Sequence, residues 1–309
     1  MASNGVNVAL KCLDSNIKYW LLLLVLGVAW GGSFSLSKIA LEGGGHPLAI
    51  NWMVSLVSTV LLTLYVLIAR RKVPTDRNHL YVYFICGALG TAIPGVLYFY
   101  ALRVVSPGIL AIMMATIPIM TYVVAIMRGL ELKSMRRLVG VFLGVISVML
   151  LIVPNESLPE RAAVLWVVVM LLATACYAAE NIILASRVPA KSNAYVILWG
   201  MSVASTLMMT PFVLGTGTFF VMEIPWSRED WAIFALSVIG VLCYGSFVLL
   251  ILRAGPVFAS QTAYIITISG VGWGILIFND RHSLWVWASL LVMLGALALV
   301  TPKNIEGNQ

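Results

Sequence analysis

Charge is what this chain has least of. Only 10% of its 309 residues are Asp, Glu, Lys or Arg, and twelve are acidic. A soluble fold of that length carries far more charge on its surface, so the composition excludes one. Histidine and cysteine are scarce as well. His46, His79 and His282 stand apart at the ends of apolar runs, which argues against a histidine metal cluster. Cys12, Cys86, Cys176 and Cys243 share no paired spacing, which argues against a disulfide framework or a zinc site. Nothing resembles a nucleophile-base pair, a paired-carboxylate active site or a phosphate-cradling loop; Gly43-Gly44-Gly45 has no lysine after it. Low-complexity segments and loops long enough for a separate domain are also missing. No cofactor and no metal are expected, and an enzyme working on lipid is the reading that this lack of a catalytic constellation opposes.

What the chain does have is hydrophobic length. Its residues are 61% hydrophobic and its mean hydropathy is +1.00. Apolar runs of spanning length lie near 18–40, 47–69, 80–102, 106–128, 135–153, 162–185, 193–215, 231–252, 256–278 and 284–301. They predict an all-α membrane protein with ten transmembrane helices. Spans three and four, and eight and nine, are separated only by Ser106-Pro107-Gly108 and Ala254-Gly255-Pro256. The first run is too long for a signal-peptide core and lacks a small-residue cleavage site, so it is expected to remain as a span. The net charge of +7 is explained by topology, not by nucleic acid. With a cytoplasmic N-terminus, Lys38, Arg103, Arg161, Arg228 and Arg281 lie outside and the other fourteen of the nineteen basic residues inside, so both termini are expected in the cytoplasm. Short loops and the lack of targeting tails fit a bacterial inner membrane.

The grammar of the first half returns in the second. Gly90 is followed by Leu102-Arg103, Pro107, an acidic Glu131 and Val153-Pro154; Gly240 is followed by Leu252-Arg253, Pro256, Asp280 and Thr301-Pro302. The offset drifts only from 150 to 148, which points to two five-helix repeats, residues 1–155 and 156–309. Five is an odd number, so the second repeat crosses the membrane upside down. Inverted repeats are the architecture of many secondary transporters, because two similar halves can exchange inward-open and outward-open shapes.

Several short motifs occur along this frame: Trp30-Gly31 with Ser33-Phe34 and Lys38; Tyr98 to Leu102; Pro118; Glu131; Gly140 and Gly144; and Ala254-Gly255-Pro256-Val257. In order and spacing they resemble the EamA-type ten-helix branch of the drug/metabolite transporter superfamily. The second half departs from the pattern with Asn279-Asp280 and no proline matching Pro118. The resemblance implies a carrier that moves small amphiphilic metabolites such as amino acids, often outward, through a central cavity lined by both halves. A passive facilitator would share the fold.

Within the spans, Glu180 is the one acidic residue. An ionised carboxylate in the bilayer costs about 2.5–3.5 kcal/mol on insertion scales, so it must face protein or water, find a partner or take up a proton. It is either a proton-coupling or substrate-amine site, or a group near the inner end that snorkels or pairs with Arg187. Ser33, its approximate counterpart in the first repeat, and Asn181 are polar groups that contact substrate or bond within the helices. Trp30, Tyr98, Tyr177, Tyr244, Tyr264 and Trp273 lie deep, where a hydroxyl or indole N–H needs a partner and a cavity wall suits them as well as core packing does. These nine residues are the candidate substrate site. The expected partners are a small-molecule substrate, the lipid bilayer and protons; oligomeric state is left open.

Overall fold

With so few charges, the backbone itself is the main polar burden in lipid, and helices satisfy it internally. Accordingly the chain is helical, with no strand among the described residues. The structure is a computed structural model that describes residues 2–154, 156–158, 160–188, 192–222, 224–254 and 256–301. Lys191, Glu223, Gly255, Pro302 and Lys303 lie outside the described residues, as do the side chains of Lys11, Cys12, Leu252, Arg253, Ala254, Pro256 and Val257.

The helices are α1 (Ala2–Glu42), α2 (Pro47–Ile68), α3 (Arg77–Gly87), α4 (Ile93–Leu102), α5 (Pro107–Met114), α6 (Ile117–Met127), α7 (Met135–Ile152), α8 (Ala163–Arg187), α9 (Ala194–Thr216), α10 (Arg228–Ala254), α11 (Pro256–Ser260), α12 (Thr262–Phe278) and α13 (Leu284–Val300). A π-helical turn over Ala88–Ala92 joins α3 to α4. Span three is therefore α3 with α4, span four is α5 with α6, and α12 is the body of span nine. Nine segments among the described residues are long and apolar enough to cross a membrane. The tenth, α13, has 17 residues, about 26 Å at 1.5 Å per residue and close to the ~30 Å of a hydrocarbon core. Large apolar side chains such as Phe142, Leu172, Leu207, Phe212, Leu276 and Leu291 point outward, a surface that lipid covers. The chain is an integral, multi-pass membrane protein.

Local chemistry sets the breaks. Pro47 and Pro107 open helices in the first turn, where their missing N–H costs nothing. Asn193 caps α9 by accepting from the Tyr195 and Val196 amides at 3.0 and 3.3 Å. Asn279 ends α12 in the left-handed region at φ 52°. Inside the membrane, Pro94 and Pro118 each follow an interruption, the π turn in span three and the Ala115–Thr116 step in span four. The sequence-derived limits agree to within a few residues except at α1, whose helix begins at Ala2, well ahead of residue 18.

Packing follows an eight-membered ring. α1 lies on α12 and α10; α12 meets α5; α6 meets α8; α8 meets α4; α3 meets α9; α9 meets α2; and α2 returns to α10. α7 and α13 pack on each other beside the ring. Exchanging each span with the one five places later carries these principal packings onto one another. Spans one with nine become six with four, one with eight become six with three, and two with eight become seven with three. Four with nine, two with seven and five with ten map onto themselves. Side chains repeat the exchange: Ser147 Oγ donates to the Ser289 carbonyl at 2.8 Å while Ser289 Oγ donates to the Ser147 carbonyl at 2.9 Å. Between α2 and α9 the Ser55 and Ser205 hydroxyls lie 3.4 Å apart and those of Thr59 and Thr206 lie 3.2 Å apart. The expected inverted repeat is thus written into the interfaces themselves.

Small residues allow a close approach between α1 and α12. A Cβ on Gly31 would lie 2.9 Å from the Gly270 amide nitrogen and the Ile266 carbonyl oxygen, both backbone atoms that cannot step aside. Gly31→Val is expected to lower stability by about 1–3 kcal/mol, seen as a reduced melting temperature in detergent. Gly240→Ala, whose Cβ meets nothing within 4 Å, is expected to leave the melting temperature unchanged. Equal behaviour of the two variants would contradict this packing.

Candidate functional site

Glu180 sits on α8, on the face that also buries Ala173, Thr174 and Ala178, and is itself 9% exposed. Among the described residues its carboxyl group has neither a hydrogen bond nor an ion pair. The alternative in which it pairs with Arg187 is not realised: Arg187 is exposed, with its guanidinium over the Tyr81 ring at 5.6 Å. Instead the carboxyl group lies against Gly90 in the π turn of span three, where a Cβ would come within 2.6 Å of Oε2. Cys86 on α3, Tyr177 one turn back on α8 and Tyr244 on α10 are within electrostatic reach of it. Tyr98 is within electrostatic reach of Tyr177 in turn and stands with its ring 6.2 Å from Phe34 of α1.

The turn that receives Glu180 is held from its other side. Pro94 has no N–H to give, and in the π turn the Ile93 N–H reaches back to the Ala88 carbonyl. In the same stretch the carbonyls of Thr91 and Ala92 accept from Asn51 Nδ2 of α2 at 3.2 and 3.3 Å, and the same nitrogen lies 3.2 Å from Met209 Sδ. Gly95 leaves the space that the Asn51 amide fills, since a Cβ there would come 2.8 Å from Nδ2. Span three is thus clasped at its break between Glu180 of α8, seated on Gly90, and Asn51 of α2, seated on Gly95.

Of the nine candidate residues, Tyr98, Tyr177, Glu180 and Tyr244 form this cluster. The others hold other partners. Ser33 Oγ donates to the carbonyl of Trp30 in its own helix at 2.6 Å, and the Trp30 ring meets Phe247 edge-on at 6.1 Å. Trp273 Nε1 donates to the Val28 carbonyl at 3.0 Å, in the α1–α12 seam. Asn181 is exposed and reaches Thr121 Oγ1 at 3.4 Å. Tyr264 is half-buried and packs on the main core. Sequence reasoning missed Cys86 and Gly90 as neighbours of Glu180. The one available signal was Gly90 itself, a glycine in mid-span at the start of the repeated pattern.

Charged groups gather at the two ends. On the Lys38 face, Lys38 Nζ donates to the Leu102 carbonyl at 2.9 Å. Asp280 and Glu42 act on Lys38 electrostatically, yet neither forms an ion pair with it within 4.0 Å. Asp280 Oδ2, His282 Nε2 and Ser283 Oγ are buried without hydrogen-bond partners. Burial pushes the Asp280 carboxyl up from its ordinary range, with His282 and Lys38 opposing; burial pushes the His282 imidazole down, with Asp280 opposing. On the opposite face Glu131 pairs with Arg137, whose guanidinium also covers the Tyr122 ring at 5.1 Å. Among the described residues no group of histidine, cysteine and acidic side chains is arranged to hold a metal.

Chemically, a buried carboxyl group without a counter-charge, bordered by phenols, can take a proton or an organic ammonium group; the ring faces favour a cation and the hydroxyls offer hydrogen bonds. Its seat on Gly90 makes a direct prediction. Gly90→Ala should destabilise the protein in the presence of Glu180 and do so less in a Glu180→Ala background, with a coupling of about 0.5–3 kcal/mol in a double-mutant cycle of thermal unfolding. Additive effects would separate the two residues.

Residues 17–153 match the EamA-like transporter family. No curated protein matches the chain. Among solved structures, one crystal structure, described only as that of a protein, is similar with a TM-score of 0.62 at 15% identity, covering 92% of this chain and 97% of that one. At such identity it supports the fold alone, and it supports it over nearly the whole length. The matched segment contains Trp30-Gly31, Ser33-Phe34, Lys38, Tyr98 to Leu102, Pro118, Glu131, Gly140 and Gly144, and leaves out the Ala254-Gly255-Pro256-Val257 motif of the second half. Residues 17–153 are thus similar to the EamA-like transporter family, part of the drug/metabolite transporter superfamily.

Proposed function

We propose that this membrane protein is a secondary transporter that exports small amphiphilic metabolites such as amino acids by alternating access of two inverted repeats, residues 1–155 and 156–309. It sits in this reading in a bacterial inner membrane with both termini in the cytoplasm, as the distribution of its basic residues favours. The family supports a carrier over an enzyme. Glu180 is the group to which proton or substrate amine binds, Tyr98, Tyr177 and Tyr244 shape the space around it, and Trp30, Ser33, Asn181, Tyr264 and Trp273 complete the candidate set on the surrounding helices.

The observation that carries this reading is the Glu180 carboxyl group itself, buried within a spanning helix with no cation paired to it among the described residues. Charge at that point has to be balanced by something that comes and goes. An amino-acid ammonium group and a proton are interchangeable for this purpose, and exchange of one for the other is the coupling of a carrier.

Purified protein reconstituted in vesicles and offered labelled amino acids should show saturable uptake that a pH gradient stimulates, and Glu180→Gln should lose the stimulation. Saturable uptake equally responsive to the gradient in both proteins would remove the coupling role from Glu180. Non-saturating flux would replace the carrier with a facilitator.

A further inference from the structure

The exchange of spans does not carry every contact across. α1 packs on α4 and α5 of its own repeat, and α13 packs on α5 and α6, without a match of comparable extent by α8 on α10 or α12, or by α7 on α12, among the described residues. The packing of α1 on α4 and α5 is a shut gate on the face that carries Lys38.

Two contacts close the shut gate. Phe34 of α1, 6% exposed, has its ring 6.2 Å from that of Tyr98 and lies beside the point where Gly270 of α12 meets Ala111 of α5. One helical turn further out, Lys38 spans from α1 to the last carbonyl of α4, Leu102 O, at 2.9 Å. A cation at the C-terminal end of a helix is favoured by the helix dipole as well as by the hydrogen bond. A second acceptor waits nearby. Asp280 Oδ2 follows the end of α12, is buried without a partner, and acts on Lys38 without touching it. Gly27, Gly31 and Gly32 seat α1 closely on α12, so the packing that carries Lys38 also holds it near the end of α12 where Asp280 lies.

We infer that Lys38 is the latch of an outer gate: its ammonium group holds α1 against the Leu102 carbonyl while the cavity opens to the cytoplasm, and passes to Asp280 when the cavity opens outward. Phe34 is the apolar plug behind it. This rests on the alternating-access reading, and its test needs no transport. Lys38 is a positioning residue here, with no contact to substrate required.

In a background lacking the four native cysteines, Gly240→Cys places a thiol in open space at the counterpart of Gly90. A second protein with Thr218→Cys in the loop on the Lys38 face marks which side of the vesicle that face is on. Labelling of the Gly240 position by a membrane-impermeant maleimide should be faster from the side opposite the marker. Lys38→Met should raise labelling from the marker side by about tenfold, the shift in population expected when a charge-assisted hydrogen bond is removed, and Lys38→Arg should restore it towards the starting rate. Asp280→Asn should move the rate in the other direction. The latch is overturned if the unaltered gate labels faster from the marker side, or if neither Lys38→Met nor Asp280→Asn changes the ratio of the two rates in protein that keeps its melting temperature. Loss of transport with this labelling pattern intact would strike at Glu180 and the substrate, not at the gate.

Discussion

The structure depends on a carboxyl group that cannot stay charged and alone. In a bilayer the cost of an uncompensated charge is a few kcal/mol even by the mildest measure, comparable with a large share of a domain's net stability. Among the described residues Glu180 has no basic residue paired with it. The surrounding chain is arranged to make that position tolerable and specific. Gly90, within the π turn at Ala88–Ala92, opens a seat for the carboxyl oxygens, and Asn51 donates to the Thr91 and Ala92 carbonyls of the same stretch. Removing a polar burden in one helix has been matched by polar groups from two others.

The same logic extends to the ends of the molecule. Some of the charges near the ends have protein partners across helix boundaries, as with Arg228 and Glu42, Arg137 and Glu131, or Lys38 and the Leu102 carbonyl. Each such contact fixes one helix end relative to another. A two-fold structure with equal contacts on both faces would be closed at both ends or open at both. Among the described residues the repeats differ in how α1 and α8 meet their neighbours, and in the alternating-access reading we propose such differences present a cavity to one side at a time.

Much of this was legible in the sequence, for identifiable reasons. Spanning helices announce themselves by length and lack of charge, and the duplicated order of Leu-Arg, proline and acid gave both the number of helices and the inversion that the Ser147–Ser289 exchange displays. Glu180 stood out because an acid in a span has no bland surroundings. The directions of neighbouring side chains were not legible. Asn181 follows Glu180 by one residue, which turns it about 100° around the helix and out to Thr121 of α6. Ser33 is the counterpart of Glu180 by offset, but a serine hydroxyl in a helix bonds its own backbone more readily than it crosses a gap. Cys86 and Gly90 carry no signal by type, and their role comes only from the π turn, a feature that no hydrophobic period encodes.

The central claim is that the Glu180 carboxyl exchanges a proton for an organic cation. Proton movement on ligand addition, followed with a pH indicator in weakly buffered detergent solution, measures that exchange without membranes or gradients. An amino acid that binds should displace protons from the unaltered protein and none from Glu180→Gln. Equal proton movement in the two proteins, at matched ligand occupancy, would contradict the account.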